Sequence, residues 1–212
     1  MEFKLTYEGP LWAKDSQKRA PDGTSFADHK QHLRRAFDLQ LRVLWNTNVF
    51  LKEAQAEKKG GVDTRQMWRS GAFFGPSAAE REPLADALKR RHAGAYVPMV
   101  CSYLDLSCDL EIDALVVKGE DENTAFSDFD NRIKTLIDGL RKPKNKQELG
   151  QHSQPPEDGV LFVLMEDDNR IRSLSTKSSR FLEEHNDVSF AKIWITVRTK
   201  CSPVTFLNAG FL

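Results

Sequence analysis

The chain has 212 residues, of which 40% are hydrophobic and 29% charged, a balance that excludes a disordered polymer and suits an ordinary globular protein. We read it as one domain over 1–212 with a real core and generous loops. Lys plus Arg equals Asp plus Glu at 31 each, which excludes a whole-molecule field drawing polyanions, so any binding of nucleic acid must come from local patches.

At the start, Phe3, Leu5 and Tyr7 alternate with Lys4 and Thr6, which predicts a short strand ended by Gly9-Pro10. Met1-Glu2-Phe3-Lys4 lacks the basic-then-apolar order of a signal peptide, and no apolar run approaches transmembrane length, so neither export nor a membrane is expected. From Asp28 to about Glu57, Leu33, Phe37, Leu41, Leu44 and Trp45 recur at helical spacing, with Asp28 placed to cap the start. Residues 58–83 are rich in glycine and proline and read as an inserted loop, followed by a short helix over Leu84–Arg91.

Between Val97 and Lys118, apolar Leu104, Leu106, Cys108, Leu110 and Ile112 alternate with Asp105, Ser107, Asp109, Glu111 and Asp113, the period of two of a half-buried strand. After the acidic stretch Gly119 to Asn123 a helix is expected near Asn131, with Ile133, Leu136, Ile137 and Leu140 on one side and Pro143 ending it. Residues 142–158 read as a second inserted loop, and strands are expected over Val160–Met165, Arg172 to about Ser178, and Lys192–Arg198. Cys101, Cys108 and Cys201 are odd in number and lack C-x-x-C spacing, which argues against a disulfide framework or structural zinc and favours a reducing, cytoplasmic setting.

Two groups of carboxylates stand out. Asp128 and Asp130 are two apart in what reads as an extended approach to a helix, so both can face one cation, and Asp130 falls at the expected N-cap. Lys134 follows by one turn and Asp138 by another. Glu166-Asp167-Asp168 closes the apolar run Val160–Met165, where a sheet presents side chains at its rim. Asp128, Asp130 and Asp168 are the candidate ligands of Mg²⁺ or Mn²⁺, which suit oxygen donors. Phosphoryl transfer is the chemistry implied, with Lys134 as a helper.

The run Asp128-Phe129-Asp130-Asn131-Arg132-Ile133-Lys134-Thr135-Leu136-Ile137-Asp138-Gly139-Leu140, followed by Asp167-Asp168-Asn169-Arg170-Ile171, resembles the signature of the RusA family of Holliday-junction resolvases. The resemblance implies a single small α/β (α+β mixed) domain, a mixed sheet packed against two main helices, which dimerises and cuts branched DNA with Mg²⁺. Carried over by position, the essential residues are Asp128, Asp130, Lys134 and Asp168, with Asn131, Asp138 and Asp167 in support. The order of early strand, long helix, strand, motif helix, Asp-Asp and two strands fits as well.

The chain departs from that pattern in three places. Gly119-Glu120-Asp121-Glu122-Asn123 is acidic where the family is usually basic. The loop before Asp167 is longer than usual, and its Arg141, Lys142, Lys144 and Lys146 are candidates to supply the positive charge toward DNA. The N-terminal region carries extra loops and a longer helix. A module that keeps the fold without cutting, within a phage or anti-phage assembly, is therefore the alternative to an endonuclease.

Other features have plainer readings. Lys89-Arg90-Arg91 and Lys30, Arg34 and Arg35 could meet phosphates, although charge runs on helices usually just face water. His29 and His32 lack a third metal ligand in the sequence. Asp109, Glu111 and Asp113 read as the wet face of a strand. Phe73-Phe74 reads as a loop anchor or an aromatic wedge.

Overall fold

The computed structural model describes residues 1–13, 24–57, 81–92, 95–117, 125–150, 159–205 and 207–212, with the backbone alone at 57 and 125–128. Phe73-Phe74, the acidic stretch 119–123, residues 58–80 of the first expected insertion and 151–158 of the second lie outside these residues. Its strands are β1 (Glu2–Pro10), β2 (Gln55–Glu57), β3 (Arg81–Pro83), β4 (Tyr96–Val100), β5 (Leu106–Val116), β6 (Leu161–Met165), β7 (Ile171–Arg180) and β8 (Phe190–Cys201). Its helices are α1 (Phe26–Thr47), α2 (Val49–Glu53), α3 (Leu84–Arg91) and α4 (Ala125–Leu140).

The principal sheet is mixed, in the order β1-β8-β5-β7. β8 pairs antiparallel with β1 and β5, and β7 lies parallel to β5 at one edge. The period of two read along 106–116 is the period observed, each residue from Leu106 alternating between buried and half-buried. β1 continues through Gly9 and Pro10, which stand opposite Ala191 and Phe190, so the pair closes the strand rather than preceding its end. A separate parallel pair, β4 with β6, joins the sheet through a common core. The fold is thus a mixed α/β arrangement, the class that the resemblance implies.

α1 starts and ends differently from its expected limits. Ser25 is the N-cap, and Asp28 is the third residue of a capping box: Ser25 Oγ accepts from the Asp28 N–H at 3.1 Å and the Asp28 carboxylate accepts from the Ser25 N–H at 3.1 Å. The helix does not run to Glu57. Asn48 leaves helical geometry and its side chain accepts from the Leu51 N–H, which closes α1 and opens the short α2, and residues 55–57 become a strand paired with 81–83. Leu33, Phe37, Leu41 and Trp45 bury the inner face as their spacing requires.

α4 begins at Ala125, not near Asn131. Phe129, Ile133, Leu136 and Leu140 are buried along its inner side. Gly139 permits the close approach to α1: a Cβ there would lie 2.6 Å from the Leu33 Cβ. The second expected insertion also carries structure. Lys146–Leu149 forms a 3₁₀ turn capped by Asn145 and packed on α1. Among the described residues no helix is long and apolar enough to cross a membrane.

Candidate functional site

The carboxyl ends of β4 and β6 lie side by side, and the chain leaves β6 through Glu166, Asp167 and Asp168. Parallel strands are drawn to buried positions, and their carboxyl ends form rims where side chains are free to act. The end of α4 is fastened to this rim: Arg141 bridges to Met165 and the Lys142 N–H donates to the Met165 carbonyl at 3.1 Å. These contacts bring the segment 141–148 over the three acidic residues.

Each acid has its own restraint. Glu166 accepts from the Ser102 N–H and hydroxyl, both at 2.8 Å, and Lys142 Nζ stands 3.7 Å away. Burial opposes ionisation of Glu166, but the two Ser102 donors and the charges of His92 and Lys142 hold its carboxyl below the usual range. Asp167 caps the 3₁₀ turn Asp168–Arg170 by accepting from the Asn169 N–H at 3.1 Å, the main reason its carboxyl is also held low. Asp168 is the most open of the three. Lys144 Nζ donates to both of its oxygens, at 3.1 and 3.2 Å, and lies 3.4 Å from Asp167. That bond to Asp168 in turn raises the Lys144 ammonium above its ordinary range.

Behind this rim is a buried ionic knot. Arg34 is 0% exposed and donates to the carbonyls of Asp138, Arg141 and Glu148 at 3.0, 3.0 and 3.1 Å. Arg141 donates to Asp138 at 2.5 Å and to both oxygens of Glu148 at 3.0 Å, with its Nε 3.9 Å from Asp168. Lys30 completes the group by pairing with Asp138 at 3.1 Å. Arg34 and Lys30 therefore hold α1 to α4 and the 3₁₀ turn. Neither forms the solvated face, nor the phosphate contact, that charge patterning suggests.

The residues singled out from the sequence fall into two groups. Asp167 and Asp168 lie on the rim, with Asp138 behind it, and Arg141, Lys142 and Lys144 neutralise these acids and their neighbours Glu148 and Glu166. Lys146 is exposed nearby. The other group sits farther along α4. Asp130 and Lys134 are exposed and, among the described residues, share no hydrogen bond or ion pair with the rim. Asn131 offers its carbonyl to the Thr135 hydroxyl at 3.0 Å. Asp128 is in the first turns of the helix, and its side chain lies outside the described residues.

Two corrections follow from the early start of α4. Asp130 is inside the helix and is not its N-cap. Asp128 and Asp130 lie two apart within the helix rather than in the extended approach expected of them. Asp130 is also eleven residues before Arg141, about 16 Å along the axis, and Arg141 marks the end nearest Asp168. The donor chemistry of Asp128, Asp130 and Asp168 suits a hard divalent cation. Among the described residues no group of three metal-ligating side chains gathers.

Sequence reasoning passed over Ser102 and Glu148 and gave Glu166 no role of its own. Glu166 was visible as the first of three consecutive acids, but Ser102 and Glu148 reach the rim only through the packing of β4 and the 3₁₀ turn. His29 is a core residue: it stacks on Trp12 with ring centroids 4.4 Å apart and accepts from the Trp12 N–H at 3.3 Å.

Comparison with known proteins returns no match to any family model, to any curated protein or to any solved structure.

Proposed function

We propose that this chain is a RusA-like endonuclease that uses Mg²⁺ or Mn²⁺ to hydrolyse phosphodiester bonds of branched or structured DNA, acting as a homodimer. The observation that supports the reading most is the position of the motif on the elements. The run from Asp128 to Leu140 lies on one helix, and Asp167-Asp168 ends the next long apolar strand before two further strands. That order is the one the resemblance implies. Asp128, Asp130 and Asp168 are the ligands it assigns, with Lys134 beside them, and the oxygen donors match the hardness of the cation.

A second reading is favoured by a specific observation. Asp130 stands about 16 Å along α4 from the end that meets Asp168, and Lys144 already neutralises Asp168. A RusA-like module that binds without cutting, within a phage or anti-phage assembly, requires no convergence of these carboxylates.

The two are separated by incubating the purified chain with labelled four-way junctions and flaps in Mg²⁺ and in Mn²⁺. Cutting that disappears in Asp130→Asn and Asp168→Asn supports the endonuclease. Binding without cutting, unchanged by added metal, supports the module.

A further inference from the structure

β7 is a ten-residue strand at the edge of the principal sheet, and from Arg172 to Arg180 every one of its residues is exposed. A long open edge presents unpaired N–H and C=O groups, which proteins ordinarily cover, shorten or interrupt with proline. Among the described residues nothing pairs with this edge. The strand reads Ile171-Arg172-Ser173-Leu174-Ser175-Thr176-Lys177-Ser178-Ser179-Arg180, with three cations, five hydroxyls and no carboxylate.

The register divides these groups between two faces. Ser175 and Lys177 stand beside Glu111 and Asp113 of β5, and Lys177 pairs with Glu111 at 3.7 Å. Leu174, Thr176, Ser178 and Arg180 stand beside Leu110, Ile112, Ala114 and Val116, so that side of β7 borders no acid on β5. Among the described residues Arg172 and Arg180 form no ion pair. By contrast, Arg141, Lys142 and Lys144 spend their charge on Glu148, Glu166 and Asp168.

We propose that the β7 edge is a track for the phosphodiester backbone of nucleic acid, held chiefly by Arg172 and Arg180. The inference rests on the nucleic-acid-directed reading above and moves the contact surface from 141–146 to β7. Phosphate oxygens are bound in proteins by arginines, by serine and threonine hydroxyls and by backbone N–H groups, and β7 concentrates all three. The strand extends about 33 Å, close to the rise of ten base pairs at about 3.4 Å each, and it begins three residues after Asp168. A second copy of the chain fits less well, because joining two β7 edges would bring together six cations on two strands that carry no carboxylate of their own.

The test is fluorescence anisotropy with a labelled 20-base-pair duplex and its single strand, in EDTA, over a series of salt concentrations. The full chain is compared with Arg172→Ala/Arg180→Ala and with Lys144→Ala/Lys146→Ala. Both pairs of substitutions sit on accessible side chains, and matching melting curves check the folds. The β7 variant is expected to bind at least about tenfold more weakly, with its log–log salt slope reduced by about 1.8, the share of two phosphate contacts on a duplex. The 144/146 variant is expected to stay within about twofold of the parent.

Equal binding by the β7 variant overturns the proposal, as does wild-type protein that binds neither probe. Tighter binding of a labelled polyglutamate peptide than of either oligonucleotide also overturns it and assigns the edge to an acidic protein segment. Binding that depends on β7 in a protein that cuts nothing upholds the track and rejects the endonuclease. Cutting in Mg²⁺ that is unaffected by the β7 variant does the reverse.

Discussion

Lys144 donates from one ammonium to both carboxylate oxygens of Asp168, at 3.1 and 3.2 Å. The ammonium stands in front of the most accessible acid of the rim, where any other cation has to compete with it. Replacing it should therefore expose Asp168. Lys144→Ala is expected to tighten Mn²⁺ binding about two- to fivefold, the range set by a partly exposed ion pair. Titration calorimetry measures this directly, and unchanged or weaker binding would show that Asp168 takes no part in holding metal.

The ionic knot around Arg34 makes a larger prediction. Its guanidinium is fully buried and satisfies three carbonyls on α4, the residue after it and the 3₁₀ turn. Arg34→Met removes the guanidinium from those three carbonyls and leaves Glu148 to Arg141 alone among the arginines, at a cost of about 3–5 kcal/mol. Arg34→Lys should recover little, because one ammonium cannot span all three carbonyls. Urea denaturation at constant pH reads both. A loss under about 1 kcal/mol for the methionine variant would mean that the knot adds little.

Gly139 offers a local check of how α4 packs. A Cβ would meet the Leu33 Cβ at 2.6 Å, and Leu33 is itself 0% exposed with no room to withdraw. Alanine gains about 1 kcal/mol in helix propensity, but overpacking of this kind costs about 1–3 kcal/mol. Gly139→Ala is expected to be destabilised by about 1 kcal/mol. A stabilised variant would place the two helices farther apart.

His29 links stability to pH. Burial, with a smaller contribution from His32, lowers its folded-state pKa from 6.5 to about 4. The folded state thus keeps His29 neutral while the unfolded chain takes up a proton. Stability from this group is fully present above about pH 6.5 and is lost as pH falls toward 4, on the order of 3 kcal/mol across that window. His29→Gln should flatten this part of the stability profile measured by thermal melts. An identical pH slope in the variant would assign the dependence to other groups.

Much of the architecture was legible because it depends on local periodicity. The alternation from Leu106 to Ile112 and the helical spacing of Leu33, Phe37 and Leu41 each predict the observed element and its buried side. Boundaries were less legible where one side chain competes with the pattern. Asn48 ends α1 although apolar spacing continues beyond it, and Ser25 takes the cap that Asp28 also suits.

The site was legible only in part. Glu166-Asp167-Asp168 was placed correctly at the end of a strand, since a carboxylate run after an apolar strand has few other places to go. The link of Arg141 to Met165 was hidden because it depends on a long-range parallel contact, and that link fixes which end of α4 meets Asp168. The extended lead-in expected for Asp128 and Asp130 rested on helix-start signals near Asn131, and nothing between Ala125 and Asp130 forbids helix.

The endonuclease reading is tested most directly by single-turnover cutting of a labelled four-way junction in Mg²⁺, with wild-type protein compared with Asp130→Asn and Asp168→Asn at matched melting temperature. The account predicts that wild type cuts and that each variant is slowed at least about 100-fold, equivalent to about 2.7 kcal/mol on the barrier. Wild-type protein that leaves the junction intact, or variants that cut at the parent rate, would contradict it.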